Sequence, residues 1–317
     1  MMRNKMKANL FFLLVLILKT GVSIAQGDGP RTFLLAPKGL WGINSKATFL
    51  SQNFLPSSDI LISDADIQVN VVPTTFFHTF SLGGRFAQAM VMVNPGSAIG
   101  KVVPDPPGVP SAEIEATGFA DGFVGFKLGL IGAPAMSIAD FVKHTPAFSM
   151  NGYIRWWYSG SYDTKSPLNL GTNRSTFEFG LPMSIPLGNN TKRATWIESY
   201  PSVRFYTPNN DPTVITQAEL SQQRPLFLFE NHLTHNLNPK FWVGVDLRYQ
   251  YGGELKLDGE KQGNKINPLG AGVEAGYQIA SFLSANGGYG GIILGENEAR
   301  SSMLRVSLVF IYANMNK

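Results

Sequence analysis

The feature that most constrains the fold is an alternation of apolar and polar residues with a period of two. From Phe241 to Tyr251 every odd position is apolar, whereas the even positions include Asp246, Arg248 and Gln250. Successive side chains of a β-strand point to opposite faces, so a strand with this sequence has one oily face and one wet face. Residues 176–187 and 269–279 repeat the pattern. Alternation over about ten residues is typical of strands in a membrane-spanning β-barrel.

The first 25 residues have the pattern of an export signal. Arg3, Lys5 and Lys7 precede an apolar run from Leu10 to Leu18, and Ser23-Ile24-Ala25 supplies the small residues that a signal peptidase requires. The run is too short for a membrane-spanning helix, which needs about 20 apolar residues. We therefore expect a signal peptide at 1–25, a periplasmic lead-in at 26–41 and a single barrel domain at 42–317.

Charge and composition exclude several other classes of protein. Four of the 26 Lys and Arg residues lie in the signal, which holds no acid, so the remaining 22 equal the 22 Asp and Glu residues. A chain without surplus positive charge gives no reason to expect nucleic acid as a partner. The absence of cysteine excludes a disulfide-stapled secreted module. An exported chain that is 44% hydrophobic and only 15% charged instead favours a closed barrel, which satisfies its backbone hydrogen bonds within lipid.

Periodicity and turn residues together predict an all-β, antiparallel, up-and-down transmembrane barrel. Short turns follow the second, sixth, eighth and tenth strands, and longer polar loops follow most of the others. Outer-membrane barrels have short periplasmic turns and longer external loops, and an even strand number places both termini in the periplasm. About twelve strands are predicted, near 42–54, 65–80, 85–95, 119–131, 147–160, 174–187, 193–207, 224–236, 240–252, 266–279, 282–293 and 301–313.

Residues 132–146 break this rule, because a periplasmic connection should be short. Ser137 and Asp140 have the spacing of a helix-opening capping box, so one short amphipathic periplasmic helix is predicted there. A soluble β-sandwich with the same alternation is the alternative fold. The 22 phenylalanines, most of them on one parity, argue against water on that face.

The wet face predicts which charged residues line the lumen, because an Arg or Lys facing lipid at mid-depth costs ~2–4 kcal/mol. Equal numbers of acids and bases would give the channel little charge preference; alternatively, they form a structural lattice of ion pairs. The predicted acidic residues are Asp66, Glu178, Glu198, Glu230, Asp246 and Glu274, and the basic ones are Lys46, Lys127, Arg155, Arg204, Arg248 and Arg305.

Aromatic residues fall on the same predicted inward parity. A lumen that combines aromatic walls with a few polar groups suits apolar or aromatic solutes, although simple packing of the lumen would place the same residues there. These residues are Tyr153, Trp157, Tyr200, Phe123, Phe76 and Phe80.

No catalytic, metal or cofactor site is predicted. His232 and His235 lie three apart on a strand and point to opposite faces, so they cannot bind one metal ion. A membrane-embedded lipid hydrolase would need a serine and a histidine on the outer wall, whereas His78 and His232 are predicted to point inward. A structural or surface-binding barrel that works through loops 96–118 and 208–223 is the other alternative.

Several short stretches, in order along the chain, resemble the outer-membrane family named for the MetA pathway of phenol degradation, whose members are usually described as transporters. The resemblance implies a barrel of about a dozen strands in the outer membrane of a Gram-negative cell. It also implies that the partners are membrane lipid and small organic solutes, and it assigns no binding residue. The stretches are Gly29-Pro30-Arg31, Asp64-Ala65-Asp66, residues 130–135, Asn173-Arg174, Asn209-Asn210-Asp211, Gln223-Arg224-Pro225 and Tyr251-Gly252-Gly253.

Overall fold

The chain forms a closed antiparallel β-barrel in a computed structural model that describes residues 27–56, 65–101, 113–188, 193–295 and 299–313. The signal peptide predicted at 1–25 lies outside these residues. Each barrel strand pairs with the next along the chain, and the last pairs with the first, so the sheet has no free edge. The prediction of an up-and-down barrel is confirmed.

Twelve barrel strands lie within the described residues, as the alternation predicted. Two of them are interrupted, at Val72-Pro73 and at Leu181-Pro182, where proline removes a backbone donor. The strands are β1 (Leu40–Gln52), β2 (Asp66–Val71 and Thr74–Leu82), β3 (Arg85–Lys101), β4 (Ile114–Ile131), β5 (Ser149–Tyr158), β6 (Thr176–Gly180 and Met183–Leu187), β7 (Thr195–Tyr206), β8 (Leu226–Asn236), β9 (Phe241–Gly252), β10 (Leu269–Ala280), β11 (Leu283–Leu294) and β12 (Ser301–Ala313).

The outer wall carries the apolar set of the alternation. Ile154, Leu247 and Val306 belong to a belt of large apolar side chains that are about half exposed. Water does not favour such a continuous apolar surface, whereas the hydrocarbon of a bilayer does. No described helix is both long and apolar enough to cross a membrane.

We call the end at which β1 begins and β12 finishes the lower end, and the opposite end the upper end. The lower turn between β2 and β3 is two residues long, and both Gly83 and Gly84 have positive φ (56° and 76°). Such a turn matches the twist of the flanking strands and favours glycine. The predicted helix is confirmed at the lower end as α1 (Ile138–Lys143).

The N-cap of α1 is Ser137. Its hydroxyl accepts the backbone N–H of Asp140 (3.2 Å) and donates to the Asp140 carboxylate (2.6 Å). This hydrogen bond stabilises the charged carboxylate and therefore lowers the pKa of exposed Asp140.

The upper end differs from the prediction in one loop. Residues 96–118 were expected to form a loop, but β3 continues to Lys101 and β4 begins at Ile114, and Gly96 pairs with Gly118. Gly96, Gly100 and Gly118 of this stretch therefore lie in paired strands rather than in a loop. Residues 102–112 lie outside the described part of the chain.

Residues 159–175, the connection between β5 and β6, fold into the upper end of the barrel. Its Leu168 and Leu170 are buried among inward-facing Ile67, Val69 and Ala98 of the barrel wall. This apolar cluster, which we call the mouth cluster, packs inside that end of the barrel against β2, β3 and β4.

Asp121 of β4 anchors the same connection. Its carboxylate accepts hydrogen bonds from the backbone of Gly160, the hydroxyl of Tyr162, and both the N–H and the hydroxyl of Thr172. Burial, reinforced by the neighbouring Asp121 carboxylate, raises the pKa of Tyr162 well above its ordinary value. Short strands at Ser221–Gln223, Leu255–Leu257 and Glu260–Lys261 form a separate small sheet from the next two upper loops.

Candidate functional site in the barrel lumen

Apart from three residues of β2, the charged and aromatic residues predicted for the lumen have inward-facing, buried or partly buried side chains. They surround a cavity of about 540 Å³. Residues that line the cavity or lie buried beside it are Lys46, Lys127, Arg155, Glu178, Glu198, Arg204, Glu230, Asp246, Arg248, Glu274, Arg305, Tyr153, Trp157 and Tyr200.

Asp66 is one of these three, and the predicted parity of β2 was wrong. Asp66 is exposed, whereas Ile67 and Val69 face inward. Asp66 starts the strand at the upper end, where an outward charge meets no hydrocarbon. The apolar residues beside it belong to the mouth cluster, so in the upper part of β2 the polar face is the outer one and the alternation is inverted.

The same error applies to Phe76, Phe80 and His78, which were predicted to point inward. Phe76 is 43% exposed, while its neighbours Thr75 and Phe77 line the cavity. His78 stacks on Trp41 of the outer wall, and its Nδ1 lies 3.0 Å from the Leu40 carbonyl oxygen. His78 therefore lies on the outer wall, so its predicted inward position no longer argues against the hydrolase alternative.

The chain before β1 enters the lumen. Residues 26–41 were expected to be a periplasmic lead-in, but residues 27–33, which we call the plug segment, contact side chains of the lumen wall. The Asp28 carboxylate accepts a hydrogen bond from Arg155 at 2.8 Å, and Arg155 also donates to Glu178 at 2.6 Å. Arg155 thus joins the plug segment to the barrel wall through two carboxylates.

Glu198 holds the plug segment by its backbone. One carboxylate oxygen accepts the N–H of Arg31 at 2.6 Å, and the other accepts the N–H of Phe33 at 3.0 Å. The Arg31 guanidinium donates to the Asn236 side chain and lies over the Trp242 ring, 4.7 Å from its centroid. Glu198 is fully buried, so these charge-assisted bonds compensate the cost of keeping its carboxylate from water.

The first residues of the plug segment meet a second charged cluster. The Gly27 carbonyl accepts from Arg305 (3.1 Å) and the Asp28 carbonyl from Lys46 (2.7 Å), while the Gly29 N–H donates to Glu230 (3.0 Å). Arg305 also pairs with Glu274 at 2.6 Å.

His232 stands between two carboxylates in the same region. Its Nδ1 lies 2.5 Å from Asp246 and its Nε2 lies 3.0 Å from Glu230. An imidazolium can donate to both carboxylates at once, which a neutral ring cannot. His235 instead bonds Thr195, which confirms that the two histidines face opposite ways.

Both halves of the lumen wall carry buried charge, but the aromatic and methionine side chains are concentrated on one of them. Strands β3, β4, β5 and β7 contribute this apolar surface, together with the buried charges of Lys127, Arg155 and Glu198. Phe33 packs into this surface, which we call the aromatic wall and which consists of Met90, Met92, Phe123, Tyr153, Trp157 and Tyr200, with Phe77 beside it. The cavity touches both halves.

Sequence reasoning missed the residues that fill the lumen. Asp28, Arg31 and Phe33 precede the first strand, so no period-two pattern assigns them to a face. A local signal was present, because Asp28 and Arg31 are followed by the run Phe33-Leu34-Leu35, which is too apolar for a segment exposed to water. Met90 and Met92 were missed because methionines on the inward parity of a strand look like lipid-facing residues.

A closed twelve-stranded antiparallel barrel with an oily outer belt, a charged interior and a chain segment folded into its lumen defines a plugged membrane-type β-barrel. The family model described as "Putative MetA-pathway of phenol degradation" matches residues 58–303. The chain belongs to this family, as its motifs indicated.

The chain is similar to several solved structures. The COG4313 outer membrane channel from Pseudomonas putida F1 superposes with a TM-score of 0.70 at 16% identity, covering 90% of this chain and 100% of that one. The transport unit of the autotransporter AIDA-I from Escherichia coli has a TM-score of 0.46 at 10% identity, covering 90% of this chain and 92% of that one. The translocator domain of the autotransporter NalP from Neisseria meningitidis has a TM-score of 0.46 at 10% identity, with coverages of 87% and 89%. No curated protein matches the chain.

Proposed function

We propose that this protein is an outer-membrane channel of a Gram-negative bacterium that passes small organic compounds with an aromatic or apolar part. The observation that carries the proposal is the aromatic wall of the lumen, which lies beside buried charged groups. A pore for water and ions alone does not need an apolar cluster such as that of Met90, Met92, Phe123 and Tyr153. Ligand sites for apolar compounds combine such walls with a few polar groups that fix orientation.

Family membership and fold support the same proposal. The family is named for phenol degradation, and the solved barrel with the same fold is named an outer membrane channel. We infer that the signal at 1–25 exports the chain, that the lower end faces the periplasm, and that the apolar belt meets lipid. No residue is assigned a catalytic role.

The described state of the channel is closed. The plug segment crosses the lumen, and the mouth cluster occupies part of the upper end. Solute passage therefore requires displacement of the plug segment, of residues 159–175, or of both. Because buried acids and bases are paired across the lumen, we expect an open channel to show little preference between cations and anions.

Entry of phenol, toluene and arabinose into proteoliposomes tests the proposal. Phenol and toluene should enter faster than in protein-free vesicles, and arabinose should not. Phe123→Gln should slow phenol entry about tenfold, since the buried ring contributes roughly 1.5 kcal/mol to the apolar contact. Asn286→Gln, a cavity-lining change outside the aromatic wall, is the matched control and should leave entry unchanged.

A variant that lacks residues 27–33 separates a closed channel from a sealed barrel. It should conduct ions in planar bilayers with a reversal potential near zero under a salt gradient. Absence of solute and ion flux in both the full chain and this variant would refute the proposed function.

A further inference from the structure

We propose that the pocket around Phe33 is a binding subsite for a single benzene ring, which the protein's own Phe33 occupies in the closed state. The inference rests on the proposed function, because it names the part of the lumen that holds the aromatic group of the solute.

The Phe33 side chain is completely buried, although it belongs to none of the barrel strands. Its ring lies 4.8 Å from the Tyr200 ring, at 41° to it, and the Lys127 ammonium lies 5.6 Å from its centroid. Met90, Met92, Phe123 and Tyr153 belong to the same buried cluster. The pocket therefore surrounds a flat ring with aromatic faces, thioethers and one cation.

The walls of this pocket exist independently of the ring. They come from four barrel strands, β3, β4, β5 and β7, whereas Phe33 comes from the plug segment, which joins the barrel covalently only where β1 begins. The same wall residues, from Met90 to Tyr200, also line the cavity of about 540 Å³. A solute in the cavity thus already touches the side chains that hold Phe33, and can take its place when the plug segment moves.

The chemistry of the pocket favours an aromatic ring with an oxygen substituent. A cation over a ring face and sulfur near a ring stabilise aromatic but not aliphatic groups. Lys127 Nζ also donates to the Thr32 carbonyl at 3.1 Å, and Glu198 accepts two N–H groups of the plug segment. Once the segment has moved, these two groups can donate to and accept from a hydroxyl on the ring.

Phe33→Ala tests the subsite by binding rather than by flux. The wild type and the variant, in lipid nanodiscs, are titrated with 4-fluorophenol and followed by fluorine NMR. Apparent affinity is limited by the fraction of molecules with an empty pocket, so the variant should bind about tenfold tighter or more. An apolar cavity of this kind readily takes up benzene-sized ligands. Leu34→Ala, which truncates the neighbouring apolar side chain but leaves the Phe33 ring in place, should bind as the wild type does.

Two comparisons make the result decisive. 4-Fluorocyclohexanol should gain much less than 4-fluorophenol from Phe33→Ala, and crystals soaked in 4-iodophenol should show the iodinated ring between Tyr200 and Lys127. Equal gains for both ligands, or equal gains in Leu34→Ala, would overturn the subsite. Should Phe33→Ala fail to assemble, Phe33→Leu removes the ring while keeping the backbone bond to Glu198, and the same two comparisons decide.

The binding and flux experiments distinguish failure of the subsite from failure of the proposed function. Solute flux without a gain in binding for Phe33→Ala would remove the subsite and leave the channel. A gain in binding without flux in any variant would leave the subsite and remove the channel.

Discussion

Replacing Glu198 with glutamine should release the plug segment from the lumen. In the native chain both oxygens of the buried Glu198 carboxylate accept backbone N–H groups, from Arg31 at 2.6 Å and Phe33 at 3.0 Å. A glutamine side chain has only one oxygen, so its amide N–H₂ would face one of these donors. One hydrogen bond is therefore lost, and the other loses its charge.

The magnitude follows from the strength of such bonds. A hydrogen bond to a charged group contributes ~1.5–3 kcal/mol. Losing one bond and weakening the second should reduce the docking free energy of the plug segment by about 2–4 kcal/mol. Since ~1.4 kcal/mol corresponds to a factor of ten, the undocked population should rise roughly 30- to 1,000-fold.

The absence of native cysteine makes this population measurable. Thr32→Cys places a single thiol in the plug segment, and a polyethylene-glycol maleimide too large to enter the barrel can modify it only after undocking. Labelling in Glu198→Gln should be faster by the factor given above. Glu115→Gln, at an exposed position of β4, is the matched control and should label at the native rate. Equal labelling rates in Glu198→Gln and the control would refute the conclusion that the Glu198 carboxylate holds the plug segment in the lumen.

Other consequences of the structure can be tested separately. Leu168→Ala removes a fully buried side chain from the mouth cluster and should destabilise its packing by about 2–5 kcal/mol. Trypsin should then cleave after nearby Lys165 faster than in the native chain. Unchanged cleavage would show that Leu168 does not hold this connection in place. Ser137→Ala removes the hydroxyl that donates to Asp140, so the pKa of Asp140 measured by NMR should rise toward its ordinary value; no change would exclude this hydrogen bond in solution. Gly180→Ala places a Cβ 2.3 Å from the Tyr200 ring, so it should lower the temperature at which the barrel unfolds, measured on gels of heated samples. Gly152→Ala is the control: its Cβ would meet Leu130 at an ordinary 3.4 Å, and its unfolding temperature should not change.

The wall of the barrel could be predicted from sequence because lipid imposes one rule on every strand. Where a strand crosses hydrocarbon, as β9 does with Val245 and Leu247 outside and Asp246 inside, the alternation directly reports the two faces. The prediction failed for β2, which extends above that zone. Asp66 faces outward there at no cost, and Ile67 and Val69 face a packed interior, so polarity no longer indicates direction.

What fills the barrel could not be predicted from the same rule, for a physical reason. A period of two identifies a wet face, but in a narrow barrel that face meets other protein atoms more than bulk water. Arg155, Glu178 and Glu198 are each less than 5% exposed and are satisfied largely by one another, by the barrel wall and by residues 28–33. These buried charges therefore require partners of opposite charge or free backbone N–H groups. When a segment outside the strands supplies those partners, the alternation of the strands does not indicate where they come from. The predicted balance of acids and bases in the wall was a sign of pairing, and the plug segment adds Asp28 and Arg31 to both sides of that balance.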